Sequence, residues 1–311
     1  MSAIIEVSSL SKQFKDITAV NELSFNVQEA DVYGFLGQNG AGKSTTIRML
    51  LTLIAPSSGE IRMFGMNLLT HRKEILSQVG AVIERPDLYT YLTAYENLSI
   101  FARMNAVDAS RKGLMEQLEL VGLADRAQSK VRTFSQGMKQ RLGIAVALVH
   151  NPSLIILDEP TNGLDPQGIA DMRNLILHLS RHLKKTVLVS SHLLSEIEQI
   201  ATRMIIIDRG KKMVEGTVEE LSDPSRTMLE IETADAARLL GWLQHSRWQT
   251  GIADSDAGSV RLRLHKQDIP ALNQELVQAG IPVFSLQKKN SLEEYFLHIT
   301  AGKQYVGTFK N

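Results

Sequence analysis

The segment that most constrains the fold of this chain is a glycine-rich stretch between a short apolar run and a helical pattern. It consists of Gly37, Gln38, Asn39, Gly40, Ala41, Gly42, Lys43, Ser44 and Thr45. This is the Walker A (P-loop) pattern, in which glycines let backbone N–H groups turn toward phosphate oxygens at a helix N-terminus. We expect Lys43 to neutralise the β- and γ-phosphates of ATP and the Ser44 hydroxyl to ligate Mg²⁺. A plain strand-to-helix turn would not need the full pattern.

A second apolar run ends in two adjacent carboxylates. Residues 154–157 predict a buried strand, and Asp158 and Glu159 follow it, at the strand end where ligands of open α/β sheets gather. This arrangement is typical of a Walker B segment. We expect Asp158 to hold Mg²⁺, directly or through water, and Glu159 to act as the general base. Acidic residues at a strand end can also begin a solvated loop, and the Walker A segment favours the functional interpretation.

The composition excludes several other classes of function. The 311-residue chain is 43% hydrophobic, enough for more than one core. The chain has 34 basic residues (Lys and Arg) and 34 acidic residues (Asp and Glu). It therefore has no overall excess of positive charge that would indicate nucleic acid as a partner. The absence of cysteine excludes disulfides and is compatible with a reducing cytoplasm. Residues 1–6 are not a signal peptide, and every apolar run falls short of the roughly 20 residues that cross a bilayer.

Short β-branched runs alternate with amphipathic patterns through most of the chain. Strands are predicted at residues 4–7, 32–36, 79–83, 154–157, 186–189 and 204–207. Helices are predicted at residues 42–54, 94–104, 111–121, 136–149, 167–182 and 193–200. Several strands are apolar throughout, as buried parallel strands are, which favours an α/β domain. Residues 86–149 hold three helical patterns and no strand pattern, so we predict a helical subdomain inserted into the α/β core.

A domain boundary is predicted at residues 222–226, where Asp-Pro-Ser interrupts the pattern. We therefore assign residues 1–222 to the first domain, 227–302 to a smaller α+β extension and 303–311 to a tail. The extension has the order βαββαβ followed by a helix at residues 292–299, which favours a ferredoxin-like split unit.

A further segment lies just ahead of a helical pattern and upstream of Walker B. It consists of Phe134, Ser135, Gln136, Gly137, Met138, Lys139, Gln140 and Arg141. This segment resembles the signature of ATP-binding-cassette (ABC) proteins, whose usual form is Leu-Ser-Gly-Gly-Gln. Phe134, Gln136 and Met138 depart from that form, whereas Ser135 and Gly137 are kept. The resemblance implies that Ser135 and Gly137 bind the γ-phosphate held by a second subunit, although Ser135 could also be an ordinary helix N-cap.

Three more positions carry the resemblance. Asp165, in Asn162-Gly163-Leu164-Asp165, is similar to the D-loop residue that joins the two sites of a dimer. His192 follows the next predicted strand after Walker B and resembles the switch histidine that contacts the γ-phosphate. Phe14 resembles the aromatic residue that stacks on adenine; packing within an N-terminal β-layer is the alternative.

Glu84 is the largest departure from the common cassette pattern. It stands in Val79-Gly80-Ala81-Val82-Ile83-Glu84, where most cassettes carry the Q-loop glutamine. A glutamate at this place is similar to the pattern of bacitracin- and lantibiotic-type export and self-protection cassettes. Residues 291–296 also resemble the C-terminal extension of that group. The resemblance implies that Glu84 lies close to Mg²⁺, and we include it among the candidate metal ligands.

As a whole, the resemblance implies an ATP-hydrolysing P-loop NTPase cassette with a β-layer and an inserted helical subdomain. Such a cassette works as a sandwich dimer, in which each ATP lies between one subunit's Walker A and the other's signature. It docks on a transmembrane permease, reaches the membrane only through that permease, and so resides in the cytoplasm at the inner face of the cell membrane. Export, of a peptide antibiotic or a lipid-like molecule, fits the resemblance best.

Other functions are compatible with a P-loop. A soluble ABC ATPase acting on ribosomes or DNA ends would usually carry two cassettes or a long coiled coil, and this chain has one P-loop and no sustained heptads. A small-molecule kinase would not need the Ser135 segment or Glu159. A degenerate cassette that only binds nucleotide is disfavoured because every catalytic position is filled.

Overall fold

The computed structural model of this chain describes residues 3–221, 227–256 and 258–289. Contacts divide it into two compact units, one ending at Thr217 and the other beginning at Val218. The boundary predicted at residues 222–226, the helix predicted at 292–299, the 291–296 resemblance and the 303–311 tail lie outside the described residues. None of the helices in the described part of the chain is long and apolar enough to span a membrane.

The first unit contains two sheets. Its strands are β1 (Ala3–Phe14), β2 (Ile17–Gln28), β3 (Val32–Leu36), β4 (Ser58–Met63), β5 (Met66–Asn67), β6 (Val79–Val82), β7 (Leu154–Asp158), β8 (Thr186–Ser191), β9 (Arg203–Asp208) and β10 (Lys211–Thr217). Its helices are α1 (Lys43–Leu50), α2 (Arg72–Leu76), α3 (Ala94–Met104), α4 (Arg111–Leu120), α5 (Gln136–Leu148), α6 (Pro166–Arg181) and α7 (Leu194–Ile200).

The larger sheet positions the candidate site. Its strand order is β10-β9-β3-β8-β7-β6, with β9, β3, β8, β7 and β6 parallel and β10 antiparallel to β9. Every residue of β3, β7 and β8 is buried, as expected for strands covered on both faces. Leu36 pairs with Ser191, and Asp158 pairs with Ser190. The carboxyl ends of these three strands therefore lie side by side, where an open α/β sheet binds ligands.

The second sheet is an antiparallel layer with the order β2-β1-β4-β5. Buried and more accessible residues largely alternate along β2, so that one face packs on the core and the other meets solvent. Its buried side chains, such as Val20, Leu23 and Phe25, belong to the same core cluster as Phe35 of the larger sheet. The β-layer is therefore part of the first unit's core.

Helices α3, α4 and α5 occupy the segment between β6 and β7, in agreement with the predicted helical insertion. Helix α3 begins with a capping box, in which Thr93 and Glu96 satisfy each other's backbone N–H groups. A Cβ atom at Gly143 would lie 2.4 Å from the Cβ of Pro86. Only glycine therefore lets α5 pack this closely against the chain that leaves β6.

The second unit has its own core and its own sheet. After the short helix α8 (Val218–Leu221), its elements are β11 (Thr227–Thr233), α9 (Ala236–Gln244), β12 (Ile252–Ser255), β13 (Ser259–Leu264), α10 (Ile269–Gln278) and β14 (Val283–Lys289). The strands are antiparallel in the order β12-β13-β11-β14, so β13 separates β11 from β12. This is the split βαβ arrangement expected of a ferredoxin-like unit.

Candidate functional site

The Walker A segment forms the loop between β3 and α1. Gly40 and Gly42 have φ of 85° and 106°, a region that side chains disfavour, and a Cβ at Gly42 would lie 2.6 Å from the Ala19 carbonyl oxygen. Ser44 and Thr45 are partly accessible in the first turn of α1. The loop backbone therefore has the shape in which N–H groups at a helix N-terminus receive an anion.

Lys43 is folded back into this loop. Its side chain is 5% exposed, and its Nζ donates hydrogen bonds to the carbonyl oxygens of Gly37 (2.7 Å) and Gln38 (3.3 Å). The Nζ also lies 3.1 Å from Oε1 of Glu159. The structure thus brings the Walker A cation and the Walker B carboxylate, which are far apart in sequence, into one ion pair.

Glu159 stands directly after β7 in an unusual backbone conformation. Its φ is 50°, in the left-handed region that costs a non-glycine residue of the order of 1 kcal/mol or more. The surroundings fix this conformation, because the Glu159 N–H donates to Ser190 Oγ (2.9 Å) and the second carboxylate oxygen lies 2.7 Å from Nδ1 of His192. Lys43, Glu159 and His192 therefore form one connected group.

Asp158 shows the property expected of a metal ligand. The residue is 1% exposed, and its Oδ1 accepts a 2.6 Å hydrogen bond from Ser190 Oγ. Its Oδ2 is buried and has no hydrogen-bond partner. A buried carboxylate oxygen without a hydrogen-bond donor is energetically unfavourable unless it binds a cation. The donor set of one carboxylate and the nearby Ser44 hydroxyl fits Mg²⁺, which takes few protein ligands and completes its shell with water and phosphate oxygens.

The structure does not contain a larger protein-only metal site among the residues it describes. No group of three or more His, Asp or Glu residues there has a metal-binding arrangement. A cation at Asp158 would therefore depend on nucleotide and water for most of its ligands.

The two signature residues lie at the start of α5. Ser135 is exposed and caps the helix, its Oγ accepting a hydrogen bond from the Met138 N–H (3.2 Å). A Cβ at Gly137 would lie 3.8 Å from Leu164, so this helix end adjoins the Asn162–Asp165 turn. Asp165 is an N-cap as well, accepting from the Gly168 N–H (2.8 Å) at the start of α6. Two accessible helix N-termini thus lie next to each other.

Phe14 and Glu84 are both solvent-accessible. Phe14 is 45% exposed at the end of β1, with Lys12 Nζ 4.9 Å from its ring centroid, so it is not packed within the β-layer. Glu84 has φ of 56°, and its side chain, 63% exposed, forms an ion pair with Arg48 of α1. The structure therefore shows Glu84 paired with the guanidinium group of Arg48, on the helix that follows the P-loop.

Some contributors to the site had no individual role assigned from the sequence, although Ser190 and Ser191 belong to the segment that resembles the switch. Ser190 connects Asp158 to the backbone of Glu159, and Arg48 holds Glu84. Thr161 and Ser191 both donate to Glu196 Oε2, at 2.6 and 3.0 Å. Ser190 and Ser191 stand directly before His192, so their place in the sequence was a usable signal. Arg48 and Glu196 have no motif that marks them.

Comparisons with known proteins show which family this chain resembles. A profile described as ABC transporter matches residues 20–162. The chain is 43% identical over 304 residues to the bacitracin transport ATP-binding protein BcrA of Bacillus licheniformis, covering 97% of this chain and 99% of that protein. It is 38% identical to the BcrA protein of Enterococcus faecalis, over 97% of this chain and 98% of the other.

A solved structure is also similar. It is the dimeric post-hydrolysis state of the ATP-binding cassette MJ0796 bound to ADP and Pi, which is 26% identical. The match has a TM-score of 0.62 and covers 69% of this chain and 98% of that chain.

Proposed function

This chain belongs to the ATP-binding proteins of ABC transporters and is an ATPase of that type, and we propose that it powers transport by hydrolysing ATP as a sandwich dimer docked on a separate membrane permease. The observation that carries the proposal is the connected group formed by Lys43, Glu159 and His192 at the carboxyl ends of adjacent strands. It supplies a phosphate-binding cation, a base for water and a second contact for the γ-phosphate in one place.

Lys43 has two roles in this mechanism. Without nucleotide, its charge is balanced by Glu159 and by two loop carbonyls. A triphosphate in the loop offers Lys43 stronger charge-assisted contacts, so the ammonium group leaves the carboxylate and binds the β- and γ-oxygens. Glu159 is then available to orient and deprotonate the attacking water.

His192 and the metal site complete the reaction centre. His192 holds Glu159 at 2.7 Å and is itself 31% exposed, so it can meet the γ-phosphate at the mouth of the site. Ser44 and Asp158 would hold Mg²⁺, which would supply positive charge to the phosphates. The unsatisfied Oδ2 of Asp158 supports this assignment. Glu84, which is paired with Arg48 in this structure, is proposed as a further residue that would hold the metal.

The second half of each site is proposed to come from a second subunit. Ser135, Gly137 and Asp165 are accessible or partly accessible at adjacent helix N-termini, and they make their hydrogen bonds within their own segments. Helix N-termini that face outward are suited to receive a phosphate held by another chain. Phe14, exposed at the end of β1, would stack on the adenine ring.

A mixing experiment tests the composite site. Ser135→Arg should block the opposite subunit's site and leave nucleotide binding by its own subunit intact, while Lys43→Ala should damage only its own site. The mixture then forms heterodimers with one doubly damaged site and one intact site, and some phosphate release should return. Loss of ATP affinity in Ser135→Arg equal to that in Lys43→Ala would place Ser135 in the wrong site.

The helical segment offers a surface for the permease. Tyr89, Tyr91 and Met104 are 41%, 65% and 70% exposed, and the rings of Tyr89 and Tyr91 lie 6.1 Å apart. Exposed aromatic and Met side chains of this kind are enriched at interfaces. They follow Glu84 in the chain, so movement around Glu84 can be passed to a bound permease. The chain would then lie in the cytoplasm, at the inner face of the membrane.

The relatives named for bacitracin transport favour export of a peptide antibiotic or a lipid-like molecule. Reconstitution of the chain with a candidate polytopic membrane protein from the same genome tests this. We expect a stable complex in which bacitracin or a lipid stimulates ATP hydrolysis, whereas Tyr91→Glu should weaken assembly and leave ATP binding unchanged. A chain that hydrolyses ATP but binds no membrane protein would instead favour a non-transport ABC ATPase.

A further inference from the structure

We infer that Glu196 is a positioning residue, which fixes the turn after β7 and the switch segment after β8 relative to each other. One of its carboxylate oxygens, Oε2, accepts hydrogen bonds from Thr161 Oγ1 (2.6 Å) and from Ser191 Oγ (3.0 Å). Thr161 belongs to the turn that begins at Glu159, and Ser191 directly precedes His192. Glu196 thus joins the two segments that carry the base and the switch histidine.

The contacts around Glu196 transmit its position to both segments. The Ser191 hydroxyl also accepts a hydrogen bond from the Leu193 N–H (3.0 Å), which closes the backbone around His192. On the other side, the Leu164 N–H donates to the Thr161 carbonyl oxygen (3.1 Å), so Thr161 is the first residue of the turn that leads to Asp165. A displacement of Thr161 would therefore move the turn and the approach of Asp165 to a partner.

The arrangement is compact enough to be specific. Thr161, Ser191 and Glu196 line a cavity of only about 10 Å³, together with side chains of α6 and α7. Ser191 is 2% exposed. Two hydroxyls that converge on one partly buried carboxylate oxygen restrict the positions of both loops.

A purely structural role would have a different origin and a different signature. Glu196 lies in the first turn of α7, where any carboxylate interacts favourably with the helix dipole. That role would affect stability alone. A positioning role predicts a loss of kcat with little change in ATP affinity, because the hydrogen bonds of Glu196 go to Thr161 and Ser191 and not to the Walker A loop.

The experiment measures steady-state ATP hydrolysis, ATP affinity and thermal unfolding of the full chain. Glu196→Ala should lower kcat by about tenfold or more while the Kd for ATP changes by less than about twofold. Glu196→Gln should restore most of the rate, since the amide oxygen can accept both hydroxyl groups. Thr161→Val, which removes the hydroxyl and keeps the shape, should lower kcat, whereas Thr161→Ser should not.

A double variant makes the test decisive. The double variant Glu196→Ala with Thr161→Val should be no slower than Glu196→Ala alone, as expected for residues that act through one contact. If Glu196→Ala does not fold, the Thr161 pair of variants carries the test. An unchanged kcat in Glu196→Ala or Thr161→Val, or independent multiplication of their effects, would overturn the inference.

The inference rests on the proposed roles of Glu159 and His192. One control separates failure of the proposed function from failure of the inference about Glu196. Glu159→Gln must abolish most hydrolysis if the base is assigned correctly. Normal hydrolysis in Glu159→Gln would refute the proposed mechanism, whereas loss in Glu159→Gln with no effect of Glu196→Ala would refute only the role of Glu196.

Discussion

Replacement of Glu159 by glutamine separates nucleotide binding from hydrolysis. Glutamine keeps the size of the side chain and can still contact His192, but it cannot accept a proton from water. General-base catalysis is worth about 10²-fold or more, so we expect kcat to fall by at least that factor. The same substitution also removes the negatively charged partner of Lys43.

The effect on ATP affinity follows from the geometry of that pair. Unit charges at 3.1 Å attract by about 5 kcal/mol at an effective dielectric constant of about 20. Desolvation of two largely buried groups offsets most of this attraction, which leaves a net stabilisation of about 1 kcal/mol. Because ATP no longer has to displace Glu159 from Lys43, we expect the Kd for ATP to fall by about fivefold.

The assay combines phosphate release with calorimetric titration of ATP. Glu119→Gln is a matched control, because it makes the same change at an exposed position of α4. It should alter neither kcat nor Kd. Hydrolysis by Glu159→Gln within a few-fold of the parent rate would refute the assignment of the base. Weaker ATP binding would refute the competition between Glu159 and phosphate for Lys43.

Three other changes follow from the same structure. Lys43→Ala removes a charge-assisted phosphate contact worth about 1.5 to 3 kcal/mol, so the Kd for ATP should rise tenfold or more in a titration. Glu84→Ala breaks an exposed ion pair with Arg48 and should lower the free energy of unfolding by less than about 1 kcal/mol. It should slow permease-coupled hydrolysis and transport in vesicles. Unchanged transport by the assembled variant would exclude a coupling role. A chain that ends after Pro224 should stay folded and bind ATP, because the cassette has a separate core; aggregation with loss of binding would refute the domain division.

The buried parallel strands were predictable because their sequences are apolar along their whole length. The structure places β3 at Val32–Leu36, the bounds that the pattern predicts, and β7 at Leu154–Asp158, one residue longer. The β4 strand was not predicted. Its sequence is polar where it faces solvent, and most of its pairing is with β1, which is distant in the chain.

The geometry of the candidate site was predictable where it is local. The Walker A loop is a local motif, so its glycine-dependent turn and the place of Lys43 at the start of α1 could be predicted from spacing alone. The partners of Glu84 and Glu159 depend on tertiary contacts: Arg48 lies 36 residues before Glu84, and Lys43 meets Glu159 only because β3 and β7 both flank β8. Side-chain orientations of this kind have no signature in the sequence.

The claim that two chains enclose each ATP is tested most directly by the mass of Glu159→Gln in solution. Slow hydrolysis should trap the closed state, so size-exclusion chromatography with light scattering at saturating Mg-ATP should give twice the 34.5 kDa of one chain. The dimer should disappear with ADP and in a Glu159→Gln, Ser135→Arg double variant. A particle that remains monomeric at saturating Mg-ATP would contradict the sandwich dimer.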